Sequence, residues 1–467
     1  SVLIKQVHEH SKDKIMALYI LKFKRTGIFS ILLLALWSFT AHAQTAITLQ
    51  KAVALTLERN LTIKQSQITE QLGAEDVRQA KGNQTPTLSV NPQASYNFGR
   101  SANLTTYSYT SQSYLYFSAQ AQVGLAIFQG GQLRNQVLEN KLILDADKTS
   151  TEKVKNDLVL NVIVDYLQIL TNQDLVTAAQ QQIDISKIPL DRSQKNFNAG
   201  NQTLADLSQA KAGVSTAEYN LTTAQNSLAS TILTLKQYME MSPDSAITVE
   251  KPDISKLGDV QVIYNADEVI NTALKRNPDV RLAEANQAAY LQAIRVAKGV
   301  YYPTLSFFAG AGSSYSNLSN PYAIGGVGIF NQLNNNFNQS VGLSLSIPIF
   351  NHSTASVGYK KAKLNYQYSE LSTQLAKDNL GKTINQAILD VESAEKSYIS
   401  ATQTYQAQKD AFNIIQQRYN VGFVNSLDYN TSLTNYNKAE TDMIEAKYTL
   451  VFRSKVIDYY LGNTITL

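Results

Sequence analysis

The chain has 467 residues, of which 44% are hydrophobic and 17% charged, with a formal net charge of +4. Residues 1–43 hold six of the basic side chains and two of the acidic ones. The remainder therefore carries 35 of each sign, and no basic footprint for nucleic acid survives. There is no cysteine, and of four histidines only His352 lies beyond residue 43, which excludes disulfides, thiolate chemistry and multi-histidine metal sites within one chain.

Residues 22–43 read as an export signal. Lys22, Lys24 and Arg25 open it, the apolar run Gly27–Phe39 follows, and Ala41-His42-Ala43 supplies a small-x-small cleavage site. The apolar run is shorter than the roughly 20 residues of a membrane-spanning helix. Residues 1–15 precede the first methionine, Met16, and read as upstream translation.

Beyond residue 43 the chain is duplicated. Ala80-Lys81-Gly82, Pro86-Thr87-Leu88-Ser89 recurs as Ala297-Lys298-Gly299, Pro303-Thr304-Leu305-Ser306, an offset of 217. Asn198-x-Gly200-(x5)-Asp206 recurs as Asn420-x-Gly422-(x5)-Asp428, an offset of 222. Fixed order at a long period marks a tandem structural unit. Phe128 already matches Phe350 at the larger offset, so the five-residue difference falls between Ser89 and Phe128.

The first copy, residues 44–241, opens with a helix over about 48–82. Strands over about 86–99 and 114–128 follow, then a long helix over about 132–196 and a shorter one over about 203–240. A linker at 242–264 carries Pro243, Pro252 and Gly258. The second copy, 265–467, repeats the order with a helix at 265–299, strands at about 303–316 and 339–350, and helices at 354–418 and 425–461.

Each long helix spans about 100 Å at 1.5 Å per residue, and two shorter helices stacked end to end match that length. A 3–4 seam through Leu207, Ala210, Val214, Ala217, Leu221, Ala224, Leu228 and Leu235 predicts knobs-into-holes pairing. Tyr429, Tyr436, Ala439, Met443, Ala446, Leu450 and Ile457 repeat it. Pro189 predicts a local kink in the first long helix only. Gly200 and Gly422 end the long helices in the left-handed manner.

The strands alternate without charge on either face. Leu88, Val90, Ala94 and Tyr96 oppose Ser89, Asn91, Gln93 and Ser95; Leu115, Phe117, Val123, Leu125 and Ile127 oppose Ser118, Gln120 and Gln122. That is the transmembrane β-barrel pattern, apolar outward and small-polar inward. Four strands cannot close a barrel, and open edges are not tolerated in lipid, so copies must pool strands. Tyr107, Tyr109, Tyr114, Tyr116, Tyr315 and Tyr322 flank the hairpin loops at about 100–113 and 316–338, as an interfacial aromatic girdle would. His352 follows a strand and reads as a turn or helix-start residue.

The duplicated helix–strand–strand–helix–helix order, the Ala-Lys-Gly-x-x-x-Pro-Thr-Leu-Ser entry, the Asn-x-Gly-(x5)-Asp tip and the repeat-ending Leu235/Tyr238 and Ile457/Tyr460 resemble the TolC-like outer-membrane efflux protein family over residues 47–463. The resemblance implies a mainly α fold with a membrane β part: long coiled-coil hairpins plus four strands per chain. In a homotrimer these form a twelve-stranded β-barrel in the outer membrane and a twelve-helix α-barrel through the periplasm. It implies a passive exit duct docked to a periplasmic adaptor (membrane fusion protein) and an inner-membrane pump of the RND, ABC or MFS type, with no enzyme activity, cofactor, metal or nucleic-acid partner.

By resemblance, Ala199, Gly200, Asn201, Val421, Gly422 and Phe423 are adaptor-docking tips. Asp428, with Asp206 in the first copy, forms an acidic periplasmic aperture; both aspartates also suit plain helix-start roles. Val424 and Thr431 stand where members often have a basic residue and a second acid, so Tyr419 is the candidate steric gate. A pore-less periplasmic coiled-coil spacer is the alternative that the helices alone would permit.

Overall fold

The computed structural model describes residues 45–103, 108–111, 113–252, 264–317 and 328–463. The export signal, residues 253–263 of the linker, Tyr107 and Tyr322 lie outside the described residues.

Strand β1 (Thr45–Ile47) leads into α1 (Leu49–Arg59) and α2 (Leu61–Gly82). A single helix was expected over 48–82, and the break comes at Asn60. Its N–H caps α1 through the Thr56 carbonyl, while its side chain accepts from Thr62 N to start α2. Asn277 divides α5 (Ala266–Arg276) from α6 (Pro278–Gly299) in the same way, with Pro278 excluding Asn277 from helical geometry. One asparagine serves as both stop and start.

The long helices are α3 (Gln132–Asn198) and α8 (Thr354–Asn420), each 67 residues. Pro189 is buried in α3, and the helix continues through it. Their shorter companions are α4 (Leu204–Tyr238) and α9 (Ser426–Leu461). Along one flank, α3 packs first on α2 and α1, then on α4. Its other flank packs on α6, then on α9, and α8 packs on α6, α5 and α9. Five of the eight expected seam residues of α4, Leu207 to Ala217 and Leu235, are buried. The alanines bring the thin rods close.

Strands β2 (Thr87–Asn97), β5 (Tyr114–Gln129), β7 (Thr304–Ser316) and β8 (Asn338–Ser346) form one antiparallel sheet in the order β2-β5-β7-β8. The helices leaving its base follow the same order, α2-α3-α6-α8. Cross-strand register aligns Leu88, Val123, Ala309 and Val341 in one row, and Leu125, Phe307 and Leu343 in the next. One face is thus apolar from edge to edge, and it is bare: Val341 is 73% exposed and Leu345 62%. The other face carries Ser89, Gln122, Gly310 and Ser340 in one row. Strands β2 and β8 are the sheet's two outer edges.

Three details depart from expectation. A bulge between Ala126 and Phe128 leaves Ile127 unpaired and sets Phe128 opposite Leu305, so Phe128 takes the apolar place the alternation assigned to Ile127. Regular elements appear inside the spans read as hairpin loops: β3 (Arg100–Asn103) pairs with β4 (Ser108–Ser111), and α7 (Ile329–Asn335) precedes β8. The linker contributes β6 (Ile247–Val249), which pairs in parallel with β1, far from the main sheet.

The largest core cluster surrounds that pair. Ile47, Val162, Tyr166, Ile169, Leu170, Leu235, Met239 and Val249 meet there at mid-height of α3. Tyr166 Oη shares its one proton between the carbonyls of Glu250 at 2.7 Å and Ile47 at 3.1 Å, clasping both strands. Asp174 of α3 accepts from Tyr448 of α9 at 2.9 Å and pairs with Lys251, joining both repeats to the linker.

Candidate functional site

The end of the rods away from the sheet is built by two helix-to-helix turns. Gly200 (φ 75°) and Gly422 (φ 86°) adopt the left-handed conformation that only glycine takes freely. Asn201 N donates to Asn196 O at 2.8 Å and Gly200 N to Phe197 O at 3.0 Å. Phe423 N to Arg418 O at 2.9 Å and Gly422 N to Tyr419 O at 3.0 Å repeat the pattern. Both are Schellman closures. Ala199, Gly200, Asn201, Val421, Gly422 and Phe423 are all exposed, with Phe423 82% bare. Leu204 and Leu427, one on each following helix, extend an apolar character across the tips.

The two aspartates occupy matching positions but differ. Asp206 closes a capping box: Thr203 Oγ1 accepts from Asp206 N at 3.2 Å, and Asp206 Oδ2 accepts from Thr203 N at 3.2 Å and from Thr203 Oγ1 at 2.7 Å. The Thr203 hydroxyl, followed by the Thr203 N–H and by the Ser426 hydroxyl, holds the Asp206 carboxyl below its ordinary value. In the second copy Asn425 Oδ1 accepts from Asp428 N at 2.8 Å, so the cap is made without the aspartate side chain. The Asp428 carboxylate is exposed, with no hydrogen bond or ion pair among the described residues.

Tyr419 is 3% exposed and packs inward. Its ring lies 4.6 Å from that of Tyr429, in a column with Phe412, Tyr436 and Tyr405. Members of this column recur every seven residues on α8 and α9, which places them on one seam. Arg192 of α3 lies over the Tyr419 ring, 4.6 Å from its centroid, and its Nη1 donates to the Tyr419 carbonyl. A cation–π contact and a hydrogen bond to a helix C-terminus thus fasten the second tip to the first repeat. Sequence reasoning missed Arg192; its position seven residues before Ala199, on the seam side of α3, is the signal that could have found it.

Among the described residues no three His, Cys, Asp or Glu side chains gather as a metal site, and no helix is long and apolar enough to cross a membrane. The tip gathers fixed turns, one unengaged carboxylate and exposed apolar side chains.

A family model described as "Outer membrane efflux protein" matches residues 52–239 and 269–463. The chain belongs to the outer membrane efflux protein family. It is a transport protein rather than an enzyme, and it resides in the outer membrane and extends into the periplasm. Outer membrane protein TolC of Escherichia coli is 24% identical over 413 residues, covering 86% of this chain and 80% of that protein. The solvent efflux pump outer membrane protein SrpC of Pseudomonas putida is 26% identical over 302 residues, covering 62% of this chain and 58% of its own length. The crystal structure of the Campylobacter jejuni CmeC outer membrane channel superimposes with a TM-score of 0.71 at 17% identity, over 89% of this chain and 85% of that one. Such a likeness supports the fold; membership of the efflux family favours a channel over the pore-less spacer.

Proposed function

We propose that the chain is the exit duct of a tripartite efflux or type I secretion system, passively conducting substrates from the periplasm to the outside. It acts as a homotrimer, docked to a periplasmic adaptor and an inner-membrane pump. The observation that carries this reading is the sheet: four strands, a charge-free apolar face, and two outer strands with open hydrogen-bonding edges. Exposed edges in lipid leave backbone groups unsatisfied, so strands from sister copies complete the ring. Three copies give twelve strands, above the eight of the smallest barrels, and carry the rods down as one tunnel. In each chain, residues 44–241 and 265–467 act as equivalent repeats about the 242–264 linker.

The exposed turns at Ala199–Asn201 and Val421–Phe423 meet the adaptor, and their apolar neighbours suit a protein partner. Asp428 lines the narrow end, where three free carboxylates at one level attract cations. Asp206 acts as a helix cap. Tyr419 serves as an anchor for the tip, held by Arg192, and opening untwists the helix pair that it anchors.

Planar-bilayer recording of the purified protein tests the reading. We expect discrete conductance with cation preference, and Asp428→Ala should weaken that preference without abolishing conductance. Unchanged selectivity would remove Asp428 from the aperture; absence of conductance in trimeric protein would overturn the duct.

A further inference from the structure

One residue breaks the pattern of the sheet's polar face. Phe307 and Phe308 are consecutive on β7, so alternation sends Phe307 to the apolar face and Phe308 to the opposite one. There Phe308 is flanked in its cross-strand row by Gly124 of β5 and Gly342 of β8. The neighbouring rows of that face hold Gln122, Gly310 and Ser340 on one side, and Ala126, Ser306 and Ser344 on the other. Among the described residues of this face the other rings are Tyr114 and Tyr116, which lie at the far end of β5 and carry hydroxyls. Phe308 alone presents an unsubstituted hydrocarbon ring.

The ring is held in place. A Cβ on Gly342 would lie 2.7 Å from Phe308 Cζ and 3.0 Å from Cε1, so the end of the ring fills the space of a missing side chain. Aromatic cover of a cross-strand glycine is a stabilising device in its own right. Phe308 nevertheless remains 37% exposed, so the glycine takes up only part of it.

The duplication shows what this place otherwise holds. The offsets of 217 and 222 carry Phe308 to Asn91 and Gly342 to Gln120. Asn91 and Gln120 are themselves cross-strand partners, and both amides are exposed. The two repeats thus build one position in two chemistries, an amide pair in the first and a ring on a glycine in the second. The ladder does not require the ring, since the amide pair serves the same pairing.

We propose that Phe308, braced on Gly342, is a contact point for planar aromatic solutes on the inner wall of the duct. This rests on the duct reading above and adds a chemical class of cargo to it. The surroundings are neutral: no strand of the main sheet carries a charged side chain. Recognition is therefore ring against ring, offset or edge to face, with hydroxyls and amides to either side. A saturated solute of the same size lacks that geometry. Sister copies set such rings at one level, alternating with Asn91–Gln120 pairs, and side chains on a lumen face tune selectivity.

Trp37, the chain's one tryptophan, lies in the expected export signal. In a Trp37→Phe background, Phe308→Trp and Val341→Trp are single reporters of the two faces. In protein reconstituted in lipid, aqueous acrylamide should quench Phe308→Trp, and brominated lipid should quench Val341→Trp. Saturation-transfer NMR then reads contact with naphthalenesulfonate, against decahydronaphthalenesulfonate as the saturated control. The unsubstituted protein should favour the aromatic probe. Phe308→Asn with Gly342→Gln, which copies the pair of the first repeat, should lower the naphthalene signal about two-fold or more. Asn91→Phe with Gln120→Gly, which doubles the number of rings, should raise it about two-fold. Equal signals in all three proteins, with both reporters quenched as expected, would overturn the contact and leave the duct standing. Brominated lipid quenching Phe308→Trp, or acrylamide quenching both reporters, would remove the duct reading as well.

Discussion

At the scale of single residues, the tips depend on two glycines and one arginine. Gly422 has φ of 86°, and a Cβ there would meet nothing closer than Arg192 Nη2 at 3.7 Å, so the constraint is conformational rather than steric. Gly422→Ala should therefore destabilise the tip by about 1–2 kcal/mol, the usual penalty for a left-handed alanine. Gly422→Asn should cost less, because asparagine tolerates that region. Thermal unfolding of the two variants checks the order. These glycines, and both aspartates, were legible from the repeated Asn-x-Gly-(x5)-Asp spacing. Arg192 was not, because its partner is a backbone carbonyl in the other repeat, and nothing local in the sequence announces such a contact.

At the scale of elements, periodicity predicted the long helices, their paired short companions and all four strands of the main sheet. The helix breaks at Asn60 and Asn277 escaped notice because the apolar pattern runs on through them; only the capping geometry divides the rods. The bulge at Ile127 escaped because strict alternation continues in the sequence while the backbone slips by one residue. The seam of α9 holds a further exception to simple pattern. Glu440 is 8% exposed where a coiled coil favours apolar side chains, and Tyr436 Oη lies 3.5 Å from its carboxylate.

Burial raises the Glu440 carboxyl above its ordinary value of 4.5, opposed by the Tyr436 hydroxyl and Lys409. A raised value means that the folded chain holds the proton more tightly than the unfolded one. The stability that Glu440 contributes is thus present below pH 4.5 and lost as pH rises through the folded value. Glu440→Gln should raise the unfolding temperature at pH 7 and flatten that part of the pH profile. An unchanged profile in calorimetry between about pH 4 and 7 would show that solvent reaches the carboxylate.

At the scale of the whole molecule, the chain is an incomplete object. Among the described residues its sheet ends on β2 and β8, and α2 and α8, which continue from those strands, keep exposed apolar side chains such as Leu72 and Tyr368. That sister copies complete the ring is the expectation the sequence raises and the proposed function carries, since four amphipathic strands without charge have no soluble use.

The clasp at mid-height carries a consequence for how the molecule is made. Thr45–Ile47 finds its hydrogen-bonding mate only at Ile247–Val249, after the whole first copy has been synthesised. A polypeptide cut after residue 241 would present Tyr166, Ile47 and Leu170 to solvent with the mating ribbon missing. Such a fragment should be trimmed rapidly by protease from its leading end, and one extended to residue 252 should resist. The boundary of autonomous folding would then lie inside the connector, so that neither half of the gene encodes a self-sufficient body.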